Sequence, residues 1–277
     1  MATNSITAIL PIYREDIAMI GATLTSLNQQ STLPALVVII DDCPGLRTGR
    51  DYDNFHSILS NVPTRIINND ENLGLAKSLN KVLPLIETEF WARTDAGDVN
   101  HRSRFNLQHE YMMQHPNCGL LGTQVSDIQR PKTVSSFPTS PKTIRLASKF
   151  ITPIAHPTYF GRTASLVDIS YPDIFYAQDF GFTRYVHKAG VEVHNLSTTL
   201  VSYQNTATSD KKYKIRQSAC LLIQVLGLES NRCVTKFFSN KMNLESAKMF
   251  PLLHFLSLLC VLPKAVGKLI SKMDGYL

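Results

Sequence analysis

Within the first hundred residues, four short apolar runs alternate with segments of helical periodicity. That rhythm restricts the chain to few architectures. The runs are "SITAILPIY", "ALVVIIDD", "TRIINN" and "EFWART". The second is apolar on both faces, which suits a strand buried inside a parallel sheet. Residues 16–30 carry Ile17, Ile20, Leu24 and Leu27 at helical spacing, and "GLAKSLNKVLPLI" carries Leu75, Leu79, Leu83 and Ile86. Strand–helix–strand order predicts an α/β fold with a Rossmann-like sheet, parallel or mixed, flanked by helices. Ligands then bind at the carboxyl ends of the strands. Tyr13-Arg14, Asp41-Asp42 and the stretch from Asp95 to Asp98 all follow such ends.

Beyond Asp98 the rhythm loosens. Residues 103–114 read as a helix, "CGLLGTQVSDI" as a strand, and Pro131, Pro138, Pro141 and Pro153 mark a loop-rich stretch. "HPTYFGR" reads as extended, "QDFGFTRYVHKAG" as a helix stopped at Gly190, and "VEVHNLSTTLVSYQ" as a strand. The expected organisation is a first half over residues 1–100, a second half of the same domain over 101–205, and a helical C-terminal extension over 206–277.

Charge separates that extension from the rest. Residues 209–277 hold 11 Lys and Arg against 4 Asp and Glu, whereas the net charge of the whole chain is only +6. Apolar content beside the lysines points this segment toward anionic lipid rather than nucleic acid. Its uninterrupted apolar part, residues 250–262, is too short for a membrane span, which needs about 20 residues. Lying on a membrane surface and packing against the domain both stay open. The five cysteines are scattered and contain no Cys-x-x-Cys pair, and the N-terminus has no basic, apolar leader pattern; both fit a reducing cytoplasm.

The segment "RTDAGD", residues 93–98, puts two carboxylates three positions apart at a strand end. Hard oxygen ligands of this kind suit Mg²⁺ or Mn²⁺ bridging the phosphates of a nucleotide, although two aspartates after a strand also serve turns and caps. A wider pattern adds to this. "ITAILPIYRED", "LTSLNQQS", "LVVIIDDCPG" and "INNDENLGLAKSLNKVLPLIETEFWARTDAGD" resemble, in order and spacing, the nucleotide-binding half of family 2 glycosyltransferases, which invert the anomeric centre on a GT-A fold.

The resemblance implies roles. Tyr13 stands where the family stacks a ring near uracil, or else fills space at a strand end, and Asp42 stands where a carboxylate accepts from the base; Asp41 is expected to orient the turn. Asn72 and Gly74 let backbone approach the nucleoside, and Lys77 either reaches phosphate or is solvated. Arg93 is expected to buttress the acid loop, Asp95 to lie near ribose and metal, and Asp98 to bind the Mn²⁺ or Mg²⁺ cofactor. The family's usual "RMDADD" has an acid where this chain has Gly97, which implies weaker metal affinity. In "YAQDFGFTRYVHKAG", Asp179 is the implied general base, or else a helix cap. His156 in "AHPTYFGR" is assigned to acceptor or diphosphate, or to the core. Arg102 and Arg104 either neutralise diphosphate or occupy a solvated helix face.

The resemblance further implies a UDP-sugar donor and a lipid-linked saccharide acceptor presented at the cytoplasmic face of a bacterial inner membrane, as in O-antigen or capsule assembly. Gly97 and Gln178 depart from the family pattern, so a catalytically weak or inactive nucleotide- or glycan-binding relative is the alternative. A dinucleotide oxidoreductase is disfavoured, because no Gly-x-Gly-x-x-Gly follows the first strand.

Overall fold

A computed structural model of the chain describes residues 5–203, except 133 and 175. The expected C-terminal helices and their membrane contact lie outside the described residues. The first half consists of β1 (Ile6–Ile12), α1 (Ile17–Asn28), β2 (Leu36–Asp41), α2 (Gly49–Ile58), β3 (Thr64–Asn68), α3 (Leu75–Val82) and β4 (Phe90–Arg93). The second half adds β5 (Val99–Asn100), α4 (Arg104–Gln114), β6 (Cys118–Asp127), α5 (Pro141–Ala147), β7 (Phe160–Arg162), α6 (Thr163–Leu166), α7 (Gln178–Lys188) and β8 (Glu192–Tyr203).

All eight strands join one sheet in the order β3-β2-β1-β4-β7-β6-β8-β5. The first four are parallel. Strand β7 is antiparallel to β4 and β6, β8 runs parallel to β6, and β5 is antiparallel to β8. The chain reverses its direction of advance between β1 and β4, and this switch point opens a crevice at the carboxyl ends of those strands.

Strand alternation sorts the side chains into two cores. Ile6, Ala8, Leu10 and Ile12 of β1 pack with Leu24, Leu27, Phe55 and Phe105 on the face covered by α1, α2 and α4. Ile9, Val38 and Ile40 pack with Leu79, Trp91, Ile144 and Phe182 on the face covered by α3, α5 and α7. Helix α1 begins where the Asp16 side chain accepts from the Met19 N–H at 2.7 Å, a cap that satisfies one orphan donor. It buries the expected Ile20, Leu24 and Leu27, and with them Thr23 and Ser26.

Two helices differ from the sequence expectation. Helix α2 has Phe55 as its one buried residue, so it lacks an apolar stripe; the Asp51 carboxylate, accepting from the Thr48 N–H and hydroxyl, starts it. Helix α5 lies within the proline-rich stretch, with Pro141 at its first turn, where the missing N–H is harmless. "HPTYFGR" is extended only from Phe160 to Arg162; His156–Thr158 form a 3₁₀ turn.

Gly161 of β7 pairs with Trp91, and a Cβ there would sit 2.3 Å from the indole. In contrast, a Cβ at Gly21 on α1 meets only Ile58 at 3.6 Å. Gly161→Ala is expected to destabilise the fold by about 1–3 kcal/mol. Gly21→Ala should be neutral or stabilising by up to about 1 kcal/mol. Urea denaturation of both variants checks this; equal midpoints would refute it.

Candidate active site

The acid segment is a tight turn. The Asp98 N–H donates to the Asp95 carbonyl at 3.1 Å, and Gly97, third of its four residues, has φ +92°. Ala96 is not among the positive-φ residues, so the turn has type II character, which calls for glycine at that position. The residue that departs from the family pattern is therefore the one the turn requires. Helix α1 holds the turn from below. The Thr23 hydroxyl lies 2.8 Å from the Asp98 carbonyl and accepts from the Gly97 N–H at 3.0 Å. Ser26 Oγ accepts from the Asn100 backbone at 3.1 Å and side chain at 3.0 Å.

Beneath the turn lies Arg104, fully buried. Its guanidinium donates to Asn100, to Gln108 at 2.9 Å and to the Arg93 carbonyl at 2.7 Å. Burial pulls its pKa down to about 9, against the raising influence of Asp98 and Asp95. It stays cationic at neutral pH. The solvated-face alternative for Arg104 is thereby corrected: α4 turns this residue inward, under two carboxylates. Arg102, by contrast, is exposed and does not line the cavity described below.

Arg93 ends β4 at 2% exposure, with Nη2 2.7 Å from Asp95 Oδ1. The contact is a close ion pair without hydrogen-bond alignment: Arg93 Nε and Nη1 and Asp95 Oδ1 are all buried with no hydrogen-bond partner. At the end of β2, Asp42 accepts from the N–H groups of Leu73 and Gly74 and from the Asn69 amide, each at 2.8 Å. It thus fixes the loop before α3, whose N-cap is Gly74 at φ +79°. Asp41 takes the orienting part: it accepts from the Cys43 N–H at 3.0 Å and from Arg47 at 2.9 Å. Arg47 also donates to the carbonyls of Tyr13 and Glu15 at 2.9 and 3.0 Å, setting the end of β1.

These elements surround a cavity of about 690 Å³ at the switch point. Tyr13, Asp42, Asn72, Gly74, Arg93, Asp95 and Asp98 all line it. So does Tyr203, because β5 pairs with the far end of β8 and draws that end beside the acid turn. Lys77 stays outside, in an exposed 3.5 Å pair with Asp173.

Next to the cavity, His156 Nε2 lies 2.9 Å from the Tyr171 hydroxyl, and its neighbour Pro157 reaches the lining. Burial, helped by Arg93, holds His156 well below its ordinary pKa, so the ring is neutral. Asp179 sits in the first turn of α7, after Ala177 in a left-handed conformation at φ +56°. Its Oδ2 accepts from Thr152 at 3.0 Å, and its carbonyl accepts from Tyr159 at 3.3 Å. Asp179 does not line the cavity itself. Burial raises the pKa of Tyr171; Arg93 opposes this, and Asp179 and Asp95 add to it. Thr23, Ser26, Arg47, Thr152 and Tyr171 escaped the sequence reading. Thr23 and Ser26 did leave a signal, as polar residues on the apolar stripe of α1.

The family model "Glycosyl transferase family 2" matches residues 7–168. That is more than half of the chain, and the chain belongs to this family. The amylovoran biosynthesis glycosyltransferase AmsE of Erwinia amylovora is 27% identical over 196 residues, 70% of this chain and 72% of that protein. Residues 1–349 of S. aureus TarS match with a TM-score of 0.60 at 19% identity, covering 97% of this chain and 90% of that one; further structures hold UDP and UDP-GlcNAc. The mannosyltransferase PcManGT of Pyrobaculum calidifontis, in complex with GDP-Man and Mn²⁺, matches with a TM-score of 0.61 at 17% identity, covering 95% and 75%. The fold is GT-A, as the resemblance implies.

Replacing Gly97 by Asp would restore the family's acid at the expense of the turn. A left-handed backbone costs about 1–2 kcal/mol for an L-residue. Gly97→Asp is expected to lower stability by that amount in urea denaturation and to leave UDP affinity no higher. Tighter binding at unchanged stability would refute the turn as the reason for the glycine.

Proposed function

We infer that this chain is an inverting glycosyltransferase moving a hexose (Gal, Glc or N-acetylhexosamine) from a UDP-sugar to a sugar acceptor, forming a β-linkage. A polyprenyl-diphosphate-linked saccharide in polysaccharide assembly is the acceptor class we favour. The observation carrying this reading is the switch-point cavity, where Tyr13, Asp42, Gly74, Asp95 and Asp98 converge from the ends of four strands. Its volume of about 690 Å³ lies in the range of small-molecule sites. The families of relatives lend further support: TarS structures hold UDP-GlcNAc, and AmsE is named for amylovoran biosynthesis.

Asn72 and the loop pinned by Asp42 would receive the nucleoside, with Tyr13 also lining the cavity. Among the described residues no group of three His, Cys, Asp or Glu could hold a metal ion. The two hard carboxylates Asp95 and Asp98 nonetheless fit a Mg²⁺ or Mn²⁺ that keeps several waters. Such an ion supplies Lewis-acid stabilisation to a departing diphosphate. The chain's own contribution there is the cationic pair Arg93 and Arg104, which balances the two aspartates. On the acceptor side, Asp179 is the proposed base, its carboxylate oriented by the Thr152 hydroxyl. It takes the proton of the attacking hydroxyl as the acceptor oxygen bonds to the anomeric carbon and the bond to UDP breaks.

No helix among the described residues is long and apolar enough to cross a membrane. Contact with the cytoplasmic face of a membrane is proposed for residues 206–277, on charge and composition alone.

Calorimetric titration with UDP, with Mn²⁺ and then with EDTA, tests the donor reading. Binding that weakens at least about tenfold in EDTA is expected; equal binding would remove the metal from the scheme, and absence of binding would remove uridine. Asp179→Asn should lower kcat by about 10²–10⁴-fold with UDP affinity unchanged. A wild-type rate would leave Asp179 a helix-end residue.

A further inference from the structure

A second cavity lies at the other end of β8, between α5, the turn at Gly190 and the start of that strand. Its volume is about 510 Å³. The catalytic cavity is reached only at Tyr203, so the two sites are roughly 35 Å apart along the strand at about 3.3 Å per residue. We propose that this second cavity is a binding site for an anionic sugar, one bearing a carboxylate or a phosphate.

Two observations carry it. The first is charge. Lys142 and Arg145, both exposed on α5, stand on one wall, and no described residue forms an ion pair with either. The cavity's one acid, Glu192, already faces His194 Nε2 at 3.1 Å. An incoming anion therefore meets two uncommitted cations of different reach: a flexible ammonium and a planar fork that grips two oxygens at once.

The second observation is the orphaned nitrogen of His187. This residue ends α7 and lines the cavity, and its Nε2 is buried without a hydrogen-bond partner. Buried polar atoms are ordinarily paired, and leaving one bare costs about 1–3 kcal/mol. Burial, with Arg145 adding to it, pushes the His187 pKa down to about 4, so at neutral pH the ring is uncharged. A neutral imidazole carries one N–H donor and one acceptor nitrogen, so Nε2 pairs with a sugar hydroxyl in either tautomer, whereas the charge of an inorganic ion is met by the two cations. Apolar Pro141, Val191 and Val193 complete the lining and suit the C–H faces of a sugar ring. Cations, one hydroxyl partner and an apolar wall together describe a sugar acid or a sugar phosphate.

The site stands independently of the reaction proposed above. It is tested on the full chain by titrating ¹⁵N-labelled protein with glucuronate, inorganic phosphate or glucose and following the backbone amides. Shifts at residues 190–194 with glucuronate, phosphate or both are expected, and the stronger of the two names the anion. The double variant Lys142→Glu with Arg145→Glu, both exposed, should weaken that response about tenfold, while UDP-induced shifts at residues 72–74 persist. His187→Phe should weaken glucuronate but not phosphate. Three results would each overturn the site: no response to any probe, an equal response to glucose, or a glucuronate response untouched by the double variant.

Discussion

A buried cation ties the two halves of the molecule together. Arg104 comes from α4, yet it donates to the last carbonyl of β4 and to Asn100 of β5. Through Gln108, whose amide donates to the Thr158 carbonyl at 2.9 Å, the same network reaches the 3₁₀ turn that carries His156. A guanidinium stripped of water is costly unless its donors are met and its charge is balanced. Here the balance comes from Asp95 and Asp98 directly above, and the donors are met by backbone and amide oxygens. The acid turn is therefore held electrostatically by Arg104 and mechanically by the hydrogen bonds of Thr23. Neither support depends on a bound ion, so the carboxylates are positioned before any ligand arrives, which is what an electrostatically preorganised site requires.

The same preorganisation governs the nucleotide side. The Asp42 carboxylate spends three contacts on the 69–74 loop, and Arg47 spends its own on Asp41 and the carbonyls after β1. Each strand end is thus crosslinked to the next by a charged hydrogen bond. Loops that follow parallel strands would otherwise be the mobile part of such a fold. A shape set this way selects a ligand by where it leaves space rather than by rearranging around it.

How much of this is legible in the sequence depends on the kind of signal each residue leaves. The four parallel strands and α1 announce themselves, because burial on one or both faces imposes a period on apolar residues. The acids at the strand ends are legible for the same reason: topology dictates where a strand end points. Helix α2 is not, since Phe55 is its one buried residue and a side-chain cap replaces the missing stripe. Arg104 is not legible, because an arginine after an acidic loop suits a diphosphate or a solvated face equally; its buried partners, Asn100, Gln108 and the Arg93 carbonyl, are set by the fold. Gly97 is the instructive case. As a letter it reads as a lost ligand, whereas as a φ of +92° it is the residue that lets the turn close.

That distinction bears on how departures from a family pattern are weighed. A missing carboxylate suggests weakened chemistry only if the position was free to hold one. At Gly97 the backbone conformation already excludes most side chains, and the hydroxyl of Thr23 accepts the glycine N–H at the point where the turn is tightest. The remaining acids, Asp95 and Asp98, keep their place on the cavity wall. Gln178 is a different matter, because it opens α7 beside Asp179 and does not line the cavity. The two departures therefore lie in different parts of the fold, one in the acid turn and one at the start of α7. Whatever each departure does is separable from the other, and counting the two together as the mark of a dead enzyme conflates them.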